Sequence, residues 1–459
     1  MTLSCTMSAQ TSYEAAQLID NQLFGSARYI GMGGAMGAFG SDMSVIQKNP
    51  AGIGTFQSSE VGFSLSTIGG STKTDGLRRQ ESTPFLFFNN IGFVGNLKLG
   101  HDNAINFAFT YQRSKVFDRY VKFQTDIPKI VTQEDGSILS DNQIERQYYG
   151  NSESGNINTF NFNISRAIDH RFYWGFTMGI HNAHYYSDAY FKSEFPNVSK
   201  DVYNEQGEIE SSESPYVYTD GDISNQIFGT GVSFAFGTII RPVDASSWRI
   251  GLSVRTPTMY NMTFDYFHKL YSLQGESLDG AKYEQRCKYK VNTPWIINAS
   301  TGFTIGSLLA VGGEFEYQNA KHSAIYINQS RMLDQTDVDL LETYTARIGT
   351  EINADNVSFR IGYNYTSPLF SEKAFKGVNN SSFNLNRFDL YSDNLRDRQI
   401  LTFGIGVSSG LILPNCYSDM VFMRQWDNHT ISMKEDIDEP YQSYTAKKFN
   451  ISFSMGWIF

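Results

Sequence analysis

Seven charged residues, Arg249, Arg255, Glu314, Glu316, Arg347, Glu351 and Arg360, stand among apolar and small neighbours in the second half of the chain. Spaced by even numbers within a strand, they share one face, while Ile250, Leu252, Val254, Phe315, Ile348 and Ile361 take the other. Mixed-sign charge on one face of a sheet can pair into a solvated wall, anchor a segment packed against it, or orient a carboxylate headgroup. On a face turned to lipid, an Arg or Lys near the bilayer midplane would cost about 2–4 kcal/mol.

Motifs that could carry catalysis or metal binding lack their context. Gly406-Val407-Ser408-Ser409-Gly410 has the spacing of a nucleophile elbow, but that device needs a strand-to-helix turn and this run ends a strand. His181 and His184 are three apart, so on a strand they point to opposite faces. Asp220-Gly221-Asp222 lacks the further carboxylates of a calcium loop. In Gly31-Met32-Gly33-Gly34-Ala35-Met36, a methionine stands where a dinucleotide fingerprint needs its third glycine, and no apolar strand precedes it. Cys5, Cys287 and Cys416 show no metal spacing; Cys287 is expected at the outer end of a strand and Cys416 in an inner turn, too far apart for a disulfide. No enzyme activity, cofactor or metal is expected.

Composition narrows the partners. The 459 residues carry a formal charge of -10, which argues against nucleic acid, since that partner wants a basic face. No run of 18 apolar residues is present, so a transmembrane helix is excluded. The mean hydropathy of -0.34 leaves a barrel open, because a barrel alternates lipid-facing with lumen-facing residues. Residues 1–10 read as the remnant of a signal peptide or a disordered N-terminus.

The elements that would position these residues are strands. Ile105, Phe107, Phe109 and Tyr111 alternate with Asn106, Ala108, Thr110 and Gln112, and the same period recurs through Phe172–Ile180, Val232–Phe236 and Phe359–Tyr365. About fourteen such strands fit the pattern for a barrel with short turns at one end and long loops at the other. Short turns fall near Gly100-His101, Ile168-Asp169-His170, Val243-Asp244, Gly306-Ser307 and Ala354-Asp355, and long polar loops near 119–154, 187–223, 268–286, 324–339 and 368–397. Before the first strand, six glycines between Gly25 and Gly40 lead into Asn49-Pro50-Ala51-Gly52, which is poor strand or helix material and suits a compact plug. The expected fold is all-β: a 14-stranded antiparallel transmembrane β-barrel (58–459) with an N-terminal hatch (11–57) in its lumen. The last strand places Phe453, Trp457 and Phe459 on one face and ends on the aromatic, like a barrel-assembly signal.

These residues together resemble the FadL/TodX family of outer-membrane transport proteins for hydrophobic compounds. The Gly-rich run ending in Asn49, Pro50, Ala51 and Gly52 is similar to that family's hatch with its Asn-Pro-Ala motif, and Gly251-Leu252-Ser253-Val254-Arg255-Thr256-Pro257 to its Gly-Leu-x-x-Arg-Ser-Pro strand. Asn292-Thr293-Pro294, Gly313–Tyr317, Arg347–Glu351 and Arg360–Tyr363 fall where its later strands would. The resemblance implies uptake of hydrophobic small molecules, long-chain fatty acids being the type substrate, at the bacterial outer membrane with both termini periplasmic. Implied partners are outer-membrane lipid, a hydrophobic ligand and the barrel-assembly machinery. In the alternative reading the barrel is a non-transporting subunit or shuttle of an outer-membrane secretion or assembly complex. The resemblance also implies a lateral exit near the third strand, yet Asn103–Tyr111 holds no Pro or Gly that would force a gap.

Overall fold

The computed structural model describes residues 12–20, 22–73, 80–99, 103–132, 138–196, 200–203, 209–213, 216–243, 246–273, 276–327, 330–331, 340–371, 391–408, 414–433 and 442–459. Fourteen antiparallel strands close into a barrel. They are β1 (Glu60–Lys73), β2 (Phe85–Lys98), β3 (Ala104–Thr132), β4 (Ile138–Ile168), β5 (Phe172–Phe195) and β6 (Tyr216–Ile240). Next come β7 (Arg249–Arg255, resumed at Met259–Leu273), β8 (Glu276–Asn292, resumed at Ile296–Ile305), β9 (Leu309–Asn319) and β10 (Glu342–Ala354). The last four are β11 (Val357–Thr366), β12 (Tyr391–Val407), β13 (Cys416–Met433) and β14 (Gln442–Ile458). Each strand pairs with the next, and β14 returns to β1 from Glu60↔Ile458 to Lys73↔Thr445, which closes the sheet on itself.

Side-chain alternation explains both the wall and its height. In β5, Phe172, Phe176 and Ile180 are exposed on the outside, while Tyr173, Gly175, Thr177, Gly179 and His181 are buried towards the lumen. The outer face stays apolar from Phe172 to Ile180, then becomes Asn182, His184, Tyr186 and Asp188. An apolar stretch of that length matches the roughly 9–11 residues that a tilted strand needs to cross hydrocarbon. Above that band the pattern inverts: Ala183, Tyr185, Ala189 and Phe191 turn apolar side chains inward.

This inversion corrects the loop assignment. Much of 119–154, 187–223 and 268–286 is strand, with β3 running to Thr132, β4 beginning at Ile138, β6 at Tyr216 and β7 reaching Leu273. A polar outer face resembles a loop when only the apolar residues are counted, but the period of two persists with its faces exchanged. Asp220-Gly221-Asp222 accordingly lies within β6 rather than in a loop, and the Tyr271 hydroxyl donates to Asp222 at 2.9 Å. Most of 368–397 and part of 324–339 lie outside the described residues.

Two strands are interrupted at one level, at Thr256–Thr258 and Thr293–Trp295, where Pro257 and Pro294 supply no ladder donor. Threonine hydroxyls replace the missing rungs: Phe234 N–H donates to Thr256 at 3.0 Å, and Thr258 N–H to Thr293 at 2.8 Å. The third strand, by contrast, pairs without a break from Ala104 to Gln112 on both sides. Cys416 is free and buried at the short-turn end of β13, opposite Trp457, whereas Cys287 pairs across to Phe264 towards the other end.

Residues ahead of β1 pack inside the barrel. They form α1 (Ser12–Ile19), α2 (Ala27–Gly31) and two 3-10 turns, Met43–Gln47 and Pro50–Thr55.

Candidate functional site: the filled lumen

The segment from Leu23 to Phe56 is short, capped and glycine-rich, so the wall rather than its own secondary structure holds its shape. Ser26, Asp42 and Asn49 cap its three turns by accepting from Tyr29, Ser44 and Ala51 N–H groups. Gly33 and Gly34 carry φ of 62° and 83°, a conformation that favours glycine. Asn49 is fully buried and joins this segment to the wall: its amide donates to the Gly37 carbonyl at 2.9 Å and to the Thr238 carbonyl at 3.1 Å. Pro50, Ala51 and Gly52 follow in the turn that Asn49 caps.

The wall meets this segment with glycines. A Cβ on Gly237 would lie 2.1 Å from Asn49 Oδ1, and one on Gly175 would lie 2.4 Å from the Pro50 carbonyl oxygen. On the opposite side, a Cβ on Gly349 would lie 2.2 Å from the Met32 oxygen, and one on Gly362 would lie 2.1 Å from Gly33 N. Several of these glycines face one another in register, as in Gly175↔Gly237, Gly312↔Gly349 and Gly349↔Gly362. Glycine within a strand marks a close backbone approach, and here the approaching chain is the N-terminal segment.

All seven charged residues singled out above face the lumen, and the segment threads its own charges between them. Arg347 pairs with Glu314 at 2.8 Å and Glu316 at 3.4 Å, and Lys48 of the segment pairs with Glu316 at 2.5 Å. Gly37 N–H donates to Glu314 at 3.0 Å, Arg255 to the Gln47 side chain at 3.1 Å, and Arg249 to the Phe39 carbonyl at 2.9 Å. Lower down, Arg28 makes two bonds to Glu351 at 3.0 and 3.1 Å, and Arg360 bridges Glu351 at 2.6 Å and Asp419 at 2.5 Å. The Glu314 side chain is 0% exposed and that of Arg347 5%, so this is not a solvated wall. Buried pairs of this kind are costly to break on one side only.

A third cluster lies towards the long-loop end, where α1 packs among Phe117, Tyr185 and Tyr260. Asp20, just after α1, pairs with Arg398 at 2.7 Å and Lys115 at 3.1 Å, and Arg398 also holds Asp427 at 2.7 Å. The described start of the chain is therefore on the long-loop side of the segment, while Phe459 sits at the other end, bonded to Ser59 at 2.9 Å. Burial raises the Asp20 carboxyl, but the Arg398 and Lys115 charges outweigh it and hold the group far below the usual range. A depressed carboxyl contributes stability above its unfolded value near 3.9 and loses it only as pH falls towards the folded value. Amide exchange in α1 should therefore be equally slow from pH 5 to pH 8 once corrected for intrinsic rates. Asp20→Asn should accelerate it at least about tenfold at neutral pH, as expected when one partner of a buried pair is lost.

Sequence reasoning missed Arg28, Lys48, Asp20, Lys115, Arg398, Asp419 and Asp427. Lys115 follows a register shift between Arg113 and Lys115, which resets which side chains face inward. The first four carry little strand-period signal, whereas Arg398, Asp419 and Asp427 do fall on lumen-facing strand positions.

The two ends of the segment face different surroundings. Above it, buried aromatic and aliphatic residues including Phe117, Tyr185, Ile227, Tyr260, Phe264 and Tyr289 line the lumen. Below it, at the short-turn end, lies a polar cavity of about 520 Å³ bordered by Arg28, Glu60, Tyr173, Arg249, Glu351 and Asp419, among others. On the outside, Phe453, Trp457 and Phe459 are exposed on one face at the end of β14. His181 is buried between Thr159 and Ser233, at 3.0 and 2.7 Å, while His184 faces outward. Among the described residues no group of three or more potential ligands could hold a metal.

No protein-family model and no curated protein matches the chain. Solved structures do. The toluene transporter TodX of Pseudomonas putida superposes with a TM-score of 0.57 at 11% identity, covering 95% of this chain and 99% of that one. A FadL homologue of Pseudomonas aeruginosa gives 0.58 at 11% identity with the same coverage. The toluene transporter TbuX of Ralstonia pickettii gives 0.52 at 13% identity, covering 95% and 98%. With the strand count, closure and whole-chain coverage agreeing, this chain has the fold of the FadL/TodX-type transmembrane barrels.

Proposed function

We propose that the protein is an outer-membrane channel that admits hydrophobic small molecules, with the segment from Leu23 to Phe56 acting as its hatch. The observation that carries this reading is the cluster of inward-facing aromatic and aliphatic side chains at the long-loop end of the lumen, beside the Asp20–Arg398–Lys115 cluster, above a segment held by charges and glycines. An apolar solute entering from the long-loop end meets a surface that favours it, and the hatch bars further passage until it shifts. Long-chain fatty acids and monoaromatic hydrocarbons are the substrate classes to test first. Mass spectrometry on protein purified from its native membrane in mild detergent tests occupancy. A stoichiometric apolar molecule is the expected result; an empty lumen with reproducible protein partners would replace the channel by a complex subunit.

Asn49 is the position at which a moving hatch should be most sensitive. Asn49→Ala removes donors from the Gly37 and Thr238 carbonyls and uncaps Ala51 N–H. Lost buried hydrogen bonds and a lost cap together should cost about 2–4 kcal/mol of hatch seating. Uptake should change in a variant whose barrel is folded; unchanged uptake would remove Asn49 from the gating step.

A further inference from the structure

The cavity beneath the hatch is electrostatically divided. On one side Arg28, Glu351, Arg360 and Asp419 satisfy one another. Asp42 accepts from the Ser26 hydroxyl at 2.5 Å and Ser44 N–H at 2.8 Å, and Glu60 accepts from the Tyr417 hydroxyl at 2.5 Å. The other side is formed by His170, Tyr173, Arg241 and Arg249. Among the described residues neither Arg241 nor Arg249 has a carboxylate within ion-pair distance. Arg249 gives one bond to the Phe39 carbonyl, Arg241 a long one of 3.4 Å to the His170 carbonyl, and the Nε of each is buried without an acceptor. Both guanidinium groups border the same cavity, together with Tyr173.

Two guanidinium groups offer ten N–H donors in rigid forks shaped for a planar oxyanion. The same cavity includes Phe56, Val407 and Ile458, and its volume of about 520 Å³ suits a small organic molecule. Asp42 and Glu60 across the space repel an anion, so one bound there is driven towards Arg241 and Arg249.

We infer that Arg241 and Arg249 form a binding site for the carboxylate of a small amphiphilic acid on the short-turn side of the hatch. Its place in a transport route rests on the channel reading, as an exit station for acids that pass the hatch; the binding itself does not. An apolar solute without a carboxylate would cross this cavity without stopping there.

Equilibrium binding of decanoate, decanol and inorganic phosphate to the detergent-purified barrel tests the site, with concentrations kept below micelle formation. Decanoate should bind about tenfold or more tightly than decanol. Arg241→Gln should weaken decanoate about tenfold, Arg241→Lys less, and Arg241→Gln/Arg249→Gln more, with folding checked by circular dichroism melting. Equal affinity for decanoate and decanol, or undiminished decanoate binding in the folded double variant, would overturn the site. Phosphate binding as tight as decanoate would overturn the amphiphile and leave a site for inorganic oxyanions only. Loss of uptake with decanoate binding retained counts against the channel alone; uptake with no decanoate binding counts against this site alone.

Discussion

Arg347→Met should unseat the N-terminal segment while leaving the barrel closed. The substitution removes the guanidinium that Glu314 and Glu316 share, and the Glu314 side chain has no solvent exposure. Glu316 keeps Lys48, and Glu314 keeps the Gly37 N–H and the Asn298 amide, but one carboxylate is left buried without a counter-charge. Breaking one side of a buried pair typically costs about 3–5 kcal/mol. The β9–β10 ladder is made by backbone groups from Leu309↔Ile352 to Asn319↔Glu342 and does not depend on these side chains. The cost should therefore fall on the segment. Amide exchange in residues 23–56 should accelerate by about two orders of magnitude, with conductance in planar bilayers rising in parallel. Adding Glu314→Gln to Arg347→Met should recover much of the protection by removing the orphaned charge. Unchanged exchange in the single variant would show that the ion pairs do not hold the segment.

Gly362→Val should open the lumen by a different route. Its Cβ would lie 2.1 Å from Gly33 N and 2.5 Å from the Met32 carbonyl carbon, both backbone atoms that cannot rotate aside. Valine suits a strand, so β11 should form normally and the displaced element should be the segment. The expected outcome is a heat-resistant barrel with raised conductance and increased entry of hydrophilic antibiotics into cells. Gly313→Ala provides the contrast, since the nearest atom to its Cβ would be 3.7 Å away in ordinary contact. A Gly362→Val barrel that stays closed would mean the segment can settle elsewhere without loss.

The barrel is legible in the sequence because lipid-facing residues obey a strict period of two. Phe172, Trp174, Phe176, Met178 and Ile180, or Phe160, Phe162 and Ile164, at successive second positions, share one face in a strand but scatter around a helix. The strands above the bilayer are less legible, since Asn182, His184 and Asp188 face water while Tyr185 and Phe191 face the lumen. Apolar residues alone therefore miss the exchange of faces. The charged lumen residues announce their side of the wall, but not their partners. Lys48 and Arg28 lie in a segment with no repeating pattern, and only the fold brings them to Glu316 and Glu351. The lumen glycines are visible as alternate small residues, yet their role emerges only when another chain segment occupies the space that their missing side chains leave.

The proposed channel requires hydrophobic molecules to cross the barrel past an N-terminal segment that moves. Gly54 and Ser165 offer a staple for it, because a Cβ on Gly54 would lie 3.6 Å from that of Ser165, within disulfide range. The decisive measurement is uptake of radiolabelled toluene and oleate by cells producing Gly54→Cys/Ser165→Cys, before and after reduction. Uptake should be no faster than in cells lacking the protein while the staple is closed, and saturable for at least one solute once it is reduced. Uptake that ignores the staple would contradict the moving hatch, and no uptake above background in the reduced or wild-type protein would contradict the channel itself.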